Sequence, residues 1–414
     1  MRFAAIVAVA LCAAANAPWA ARLVVNANVS DPAPRAAWQA VVDNFAKANP
    51  DVEVELNVYD HESYKKAIRN WLTGSPPDVV FWFAGERMRQ LSRPGLLADV
   101  SDLFTREASA GLHPSAIALV TDRGRQYGVP YATYQVGLYY RRDILDNAGI
   151  AEPHTWNDLL VACEKLTARG IEPIAIGTRD LWPAAAWFDY LDLRINGLAF
   201  HMNLMDGRVA YTDPRVRAVF ATWRELLQRK CFSANHASAS WQESQALLYQ
   251  GKSAMMLIGN YIVPNFPPAV RERVAFARFP VVDAAVADYE EAPMNTLHIP
   301  ERAPNKADAR KFLSFVMRAD VQERINRATL TIPVDTRAAV ADDRFLVEGQ
   351  ALLQRAAGLS QFFDRDTNED LAAVAMKGFQ EFMLHPQRLD TVLAGIERAR
   401  MRIYGPVTAS RGAP

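Results

Sequence analysis

The sequence predicts an α/β protein in two lobes, each a mostly parallel sheet with helices on both faces, joined by a multi-strand hinge. Three observations carry this. The chain has 414 residues, half of them apolar, more than one hydrophobic core usually holds. From residue 23 to residue 83, strand-length apolar runs alternate with helical patterns, the signature of parallel strands joined by crossover helices. Stretches rich in Pro and Gly break that rhythm at 127–131, 280–293 and 331–333, where a chain can cross between lobes. The expected division is a leader at 1–21, a first lobe of 22–132 with 292–330, and a second lobe of 133–284 with 336–414. The later crossings fall at 285–291 and 331–335.

Residues 23–27 form the first short strand. The helix after it carries Trp38, Val41, Val42 and Phe45 on one face and stops at Asn49-Pro50. Residues 51–58 alternate strictly, with Val52, Val54, Leu56 and Val58 on one side. Tyr64, Ala67, Ile68, Trp71 and Leu72 mark an amphipathic helix ended by Gly74. Residues 79–83 then place five apolar side chains in a row, between Pro76-Pro77 and Gly85, which suits a strand buried on both faces.

After the first crossing, 136–140 is a strand. Thr155 with Asp158 resembles a capping box for a helix burying Trp156, Leu159, Leu160, Cys163 and Leu166. Residues 173–177 form a strand, Asp213-Pro214 opens a helix, and 253–259 and 273–279 are further strands. Asn305-Lys306 starts a helix with Phe312, Phe315 and Val316 inward, and 371–384 and 388–402 are helical.

Lys+Arg and Asp+Glu are both 46, so no basic stripe points to nucleic acid or an anionic surface. Met1-Arg2, an apolar run over 3–15 and small residues through Ala21 describe a secretory leader too short to span a bilayer. Cleavage fits after Ala17, Ala20 or Ala21, and Leu11 before Cys12 argues against lipid modification. Cys163 and Cys231 then remain, and two buried thiols are favoured over a disulfide.

Trp82 stands near the carboxyl end of the 79–83 strand and Glu86 and Arg87 just past it, where open α/β sheets bind ligands. An aromatic plate beside a charged donor and acceptor suits a sugar, with its apolar ring face and hydroxyl rim. The alternative makes Trp82 core and Glu86-Arg87 a solvated helix start.

Four pieces in order carry a resemblance over nearly the whole mature chain. They are Pro77 to Trp82 with Glu86-Arg87 and Gly95 to Asp99; Tyr139 to Asp143 with Pro153-His154-Thr155-Trp156; Gly251 to Met255 with Gly259-Asn260-Tyr261; and Pro304-Asn305-Lys306 with Ala309, Phe312 and Leu313. Together they resemble the solute-binding proteins of carbohydrate ABC transporters, the maltose-binding-like family. The resemblance implies a two-lobed periplasmic binding protein fold, type II-like. It also implies a sugar held in the inter-lobe cleft, closure that presents the complex to a membrane permease, a monomer, no cofactor, no metal and no catalysis.

Carried over residue by residue, the resemblance makes Trp82 a stacking plate and Glu86 and Arg87 hydroxyl partners, although one residue is inserted here relative to the family's spacing. Tyr134 falls where a polar cleft residue follows the crossing Pro. Asp180 and Trp182 match a carboxylate and an aromatic after the 173–177 strand. Trp241 matches a stacking Trp of some relatives. Tyr261 replaces the usual Trp, with Asn260 beside it. Asp364, after Phe363, falls near a late cleft segment, and His61 ends the second strand.

The bland alternatives stand beside these. Trp182 could pack on Trp187, Asp180 could cap the helix near Pro183, and Trp241 and Tyr134 could be packing residues. His61 could be an ordinary strand-end side chain, and Asp364-Arg365 a local ion pair.

No phosphate loop, nucleophile elbow, zinc helix or Cys-x-x-Cys is present in the sequence. The rival readings are a secreted glycoside hydrolase, using carboxylates such as Glu86 and Asp180, and a receptor for a charged solute or metal. Several tryptophans favour a neutral sugar, with a mild preference for a maltose- or trehalose-like α-glucoside from the resemblance.

Overall fold

The computed structural model describes residues 21–407. The expected leader, Cys12 included, falls outside them but for Ala21.

Two sheets each support a separate apolar core. The first sheet has six strands in the order Ile332–Pro333, Val129–Thr133, Met294–His298, Val79–Phe83, Ala21–Ala27, Val52–Val58. The second has four: Val274–Ala277, Val136–Arg141, Ser253–Gly259, Glu172–Ile174. Leu23, Phe45, Ile68, Phe81 and Phe312 belong to the first core; Leu138, Leu159, Trp187, Trp223 and Phe379 belong to the second.

The sheets are mixed, which corrects the expectation of mostly parallel ones. Ala21–Ala27 runs parallel to both its neighbours, but Met294–His298 is antiparallel to Val79–Phe83 and to Val129–Thr133. Val136–Arg141 is likewise antiparallel to both its neighbours. These two are the strands by which the chain enters a sheet after crossing from the other one, and Ile332–Pro333, antiparallel to Val129–Thr133, is reversed as well. The remaining strands point their carboxyl ends towards the opposite lobe, and this is what gathers functional side chains there.

Local signals explain the elements that aim those side chains. Asp60 accepts hydrogen bonds from the Glu62 and Ser63 amides and so caps His61–Thr73. Asp78 ties the strand Val79–Phe83 to its surroundings, accepting from Val24 N at 2.8 Å and Asn305 N at 2.6 Å. The capping box of Thr155 and Asp158 is present, and Ser240 with Glu243 forms a second one ahead of Trp241. The strand expected at 173–177 is shorter, Glu172–Ile174, and is followed by the long helix Trp182–Met205. Ile332–Pro333, inside the 331–335 segment expected to cross, is a strand of the first sheet. Cys163 and Cys231 are free and buried; burial and the neighbouring Cys231 push the Cys163 thiol upward.

At the second crossing, Tyr289–Glu291 pairs with Gly358–Ser360 and buries two carboxyls completely, Glu290 and Glu291. Glu291 faces Asp189, with Glu290 and Asp366 also close, and burial followed by these like charges raises it. Asp189 is raised too, chiefly by burial, against His201 and the Phe363 amide. Burial opposes the charged form of His201, but Asp192, 2.9 Å from Nδ1, and Asp189 outweigh it.

A carboxyl raised in the fold contributes most below its unfolded value, 3.8 for Asp189 and 4.5 for Glu291, and loses that contribution as pH rises through its folded value. Glu291→Gln should therefore raise the melting temperature more at pH 8 than at pH 5. Thermal unfolding followed by circular dichroism at both pH values checks this, and an equal change would mean the pair does not titrate.

Candidate ligand-binding cleft

Between the two cores lies a cavity of about 160 Å³. Its first wall comes from segments at or after carboxyl ends of the first sheet. Asn28 to Asp31 follow Ala21–Ala27, His61 and Lys65 open the helix after Val52–Val58, and Trp82 and Phe83 end their own strand. The second wall is mostly aromatic: Tyr134, Trp182, Trp241, Tyr261 and Phe362, with Asp364 and Arg365 beside them.

The rings of the second wall turn sharply from one to the next. Trp182 meets Trp241 at 6.0 Å and 62°, Trp241 meets Tyr261 at 5.6 Å and 89°, and Tyr261 meets Tyr134 at 5.2 Å and 87°. The indole N–H groups of Trp182 and Trp241 are buried without a protein acceptor. That of Trp82 donates to the Arg87 carbonyl at 3.2 Å, so Trp82 offers mainly its face.

The polar groups divide into donors and acceptors. His61 Nδ1 lies 3.2 Å from Asn28 Nδ2, which makes Nδ1 the acceptor and places the ring hydrogen on Nε2. Desolvation, then Lys65 and Arg365, hold the ring neutral. Asp364 is buried, which alone would raise it, yet Lys65 at 4.0 Å, Arg87 at 3.6 Å and Arg365 keep it ionised and below its usual value. Arg365 lies 4.0 Å over the Phe83 ring and donates to the Tyr134 hydroxyl at 2.9 Å, leaving Nη1 without a partner. Lys65 also pairs with Glu62 at 3.3 Å.

Of the residues singled out in the sequence, His61, Trp82, Tyr134, Trp182, Trp241, Tyr261 and Asp364 line this cavity. Four do not. Glu86 is the first residue of its helix and is clamped by Arg93 through two contacts. Arg87 lies behind Trp82, 5.5 Å from its ring, and backs Asp364. Asn260 turns away to donate to the Leu330 carbonyl. Asp180 stands outside the lining, close enough to Glu62 to raise it; it does not cap the helix, whose cap residue is Leu181.

Trp182 packs on Trp241 and Phe362 rather than on Trp187, and Arg365 makes its contacts with rings rather than a local pair with Asp364. Sequence reasoning missed Lys65, Asp31, Phe362 and the cleft role of Arg365. Lys65 lies four residues from His61 on one helical face, a signal that was there to use.

Two α/β lobes with a ring-lined, polar-edged cleft between them define a solute-binding receptor. The chain belongs to the bacterial extracellular solute-binding protein family, whose model matches residues 30–323. An uncharacterized ABC transporter extracellular-binding protein of Pyrococcus horikoshii is 25% identical over 305 residues, 72% of this chain and 68% of that one. A second from the same organism is 24% identical over 378 residues, 87% and 84% of the two chains.

Among solved structures, the bacterial solute receptor AcbH, described as exclusively preferring β-D-galactopyranose, superposes with a TM-score of 0.88. It is 27% identical and covers 93% of this chain and 100% of its own. A chitin oligosaccharide binding protein has a TM-score of 0.83 at 18% identity, covering 92% and 98%. Among the described residues no helix is long and apolar enough to cross a membrane.

Proposed function

We propose that the protein is a monomeric periplasmic receptor that captures a mono- or oligosaccharide between its lobes and hands it to an ABC permease, without catalysis. Its leader is residues 1–21. Its lobes are 22–132 with 292–330 and 133–284 with 336–414, hinged at 285–291 and 331–335. One observation carries the reading: rings line the cleft, its lining charges balance, Asp31 and Asp364 against Lys65 and Arg365, and its spare polar groups are the N–H donors of Trp182, Trp241 and Arg365 beside one shared carboxylate. That matches a sugar, which has apolar ring faces and hydroxyls that both donate and accept. The sugar preference described for AcbH supports it.

An ammonium ligand is disfavoured, because Lys65 and Arg365 already place two cations in the lining, the second over the Phe83 and Phe362 rings. The hydrolase reading loses Glu86, which Arg93 holds away from the lining.

Titration of intrinsic tryptophan fluorescence against a sugar panel tests the proposal, and a flat response to every sugar overturns it. Trp82→Ala should raise the dissociation constant at least about tenfold, since stacking on an aromatic ring is worth roughly 1–3 kcal/mol. The sequence alone suggests this variant folds normally. The ring is 5% exposed, however, so truncation should also cost about 3–5 kcal/mol of stability. Trp82→Phe keeps most of the packing and separates the two effects. An unchanged dissociation constant in both variants removes Trp82 from the site.

A further inference from the structure

Resting on the sugar reading above, we infer that the cleft is built for one uncharged pyranose ring and excludes longer sugars. The cleft is partly open to solvent, and the small room it holds between the lobes, about 160 Å³, is the first reason. A cavity of about 150 Å³ takes a single six-membered ring such as benzene, so a second ring would need roughly twice what is here.

The second reason is how the space is bounded. The lobes touch across the cleft through Asp31, Lys65 and Asp364, all of which line it. Asp31 Oδ2 accepts from Asn265 Nδ2 at 3.2 Å, and Lys65 Nζ approaches Asp364 Oδ2 at 4.0 Å. Farther out, Arg69 reaches Glu369 at 2.7 Å, and the Gln90 side chain donates to the Thr367 carbonyl at 3.1 Å. A second sugar unit has to break at least one of these bridges, and with it the closed arrangement of the lobes.

The third reason is ring orientation. Trp182, Trp241, Tyr261 and Tyr134 each stand 62–89° from the next. A sugar parallel to one ring therefore meets the edge of its neighbour. These rings make a box around one unit, whereas an oligosaccharide needs plates facing the same way along its length. Charge points to a neutral unit. Asp364 already answers Lys65 and Arg87, and Arg365 lies against Phe83 and Tyr134. The lining charges balance, Asp31 and Asp364 against Lys65 and Arg365, so a uronate or an amino sugar would leave a net charge in the cleft.

The test is calorimetry on the mature protein with D-glucose, D-galactose, D-mannose and D-xylose. Maltose, cellobiose, lactose and melibiose follow, with D-galacturonate and D-glucosamine as charged probes. The expected result is that at least one neutral monosaccharide binds. Every disaccharide containing that ring, and each charged probe, should bind at least about 100-fold more weakly, a difference of about 2.7 kcal/mol. A disaccharide or charged sugar within that factor, or tighter than the monosaccharides, overturns the inference and leaves the sugar-receptor reading standing. No heat with any sugar overturns both.

Discussion

Asp364→Asn is expected to raise the dissociation constant for the bound sugar by about a hundredfold, the largest single effect on binding from any cleft residue. The argument is electrostatic. Asp364 is the one lining carboxylate that Lys65, Arg87, Arg365 and His61 all face, and burial makes each of those interactions stronger than it would be in water. A hydrogen bond to a charged group contributes roughly 1.5–3 kcal/mol, or about 10- to 150-fold in affinity. The amide also removes the counter-charge that holds Lys65 across the cleft, so closure itself becomes less favourable.

A contrast isolates this from cross-lobe pairing in general. Glu369 also bridges the lobes, 2.7 Å from Arg69, but both side chains are nearly half exposed. Surface pairs contribute about 0–1 kcal/mol, so Glu369→Gln should change affinity by less than about fivefold. Calorimetry on the two variants settles the point. Equal effects from both would mean that Asp364 acts through lobe pairing rather than on the ligand.

What could be read beforehand follows from how local each signal is. The strand at 79–83 was legible because five consecutive apolar residues between breakers have few other uses, and the structure buries all five. Trp82 came with it, since the end of such a strand is fixed once the strand is. Glu86 and Arg87 failed because a helix begins there, and each residue of offset rotates a helical side chain by about 100°. Asn260 failed for a tertiary reason: its donor is satisfied by the Leu330 carbonyl from a distant segment.

Arg365 shows the other limit. Between Asp364 and Asp366 it reads as a local ion pair, and nothing nearby in sequence announces Phe83, on whose ring it rests. Asp31 is within reach of the sequence, because it follows the carboxyl end of Ala21–Ala27, and the rule that singles out the end of the 79–83 strand applies there too.

The mixed sheets had a comparable cause. Hydrophobic runs identify strands but not their direction, and direction here is set by where the chain re-enters each lobe.

A loss of stability as large as that from Trp82→Ala is expected at the hinge. Glu290→Ala should cost about 3–5 kcal/mol, because it leaves the guanidinium of Arg194 buried and uncompensated. Arg194 is 2% exposed on the long helix Trp182–Met205, and its Nη2 lies 2.5 Å from Glu290 Oε1, itself fully buried. Tyr190 completes the arrangement, its hydroxyl donating to the Val136 carbonyl at 2.7 Å with Glu290 Oε2 at 3.1 Å, while Arg194 Nη1 donates to the Tyr289 carbonyl. These contacts join the helix, the first strand after one crossing and the last strand before another.

At about 2–4 °C per kcal/mol for a lobe of this size, the melting temperature should fall by roughly 6–20 °C. Removing both charges together, as in Glu290→Leu with Arg194→Met, should recover most of that loss, since a buried pair replaced by apolar groups is often neutral. Thermal unfolding of the three proteins distinguishes the cases. A double variant as unstable as Glu290→Ala would show that the pair stabilises the hinge outright, and that the cost is not that of a stranded charge.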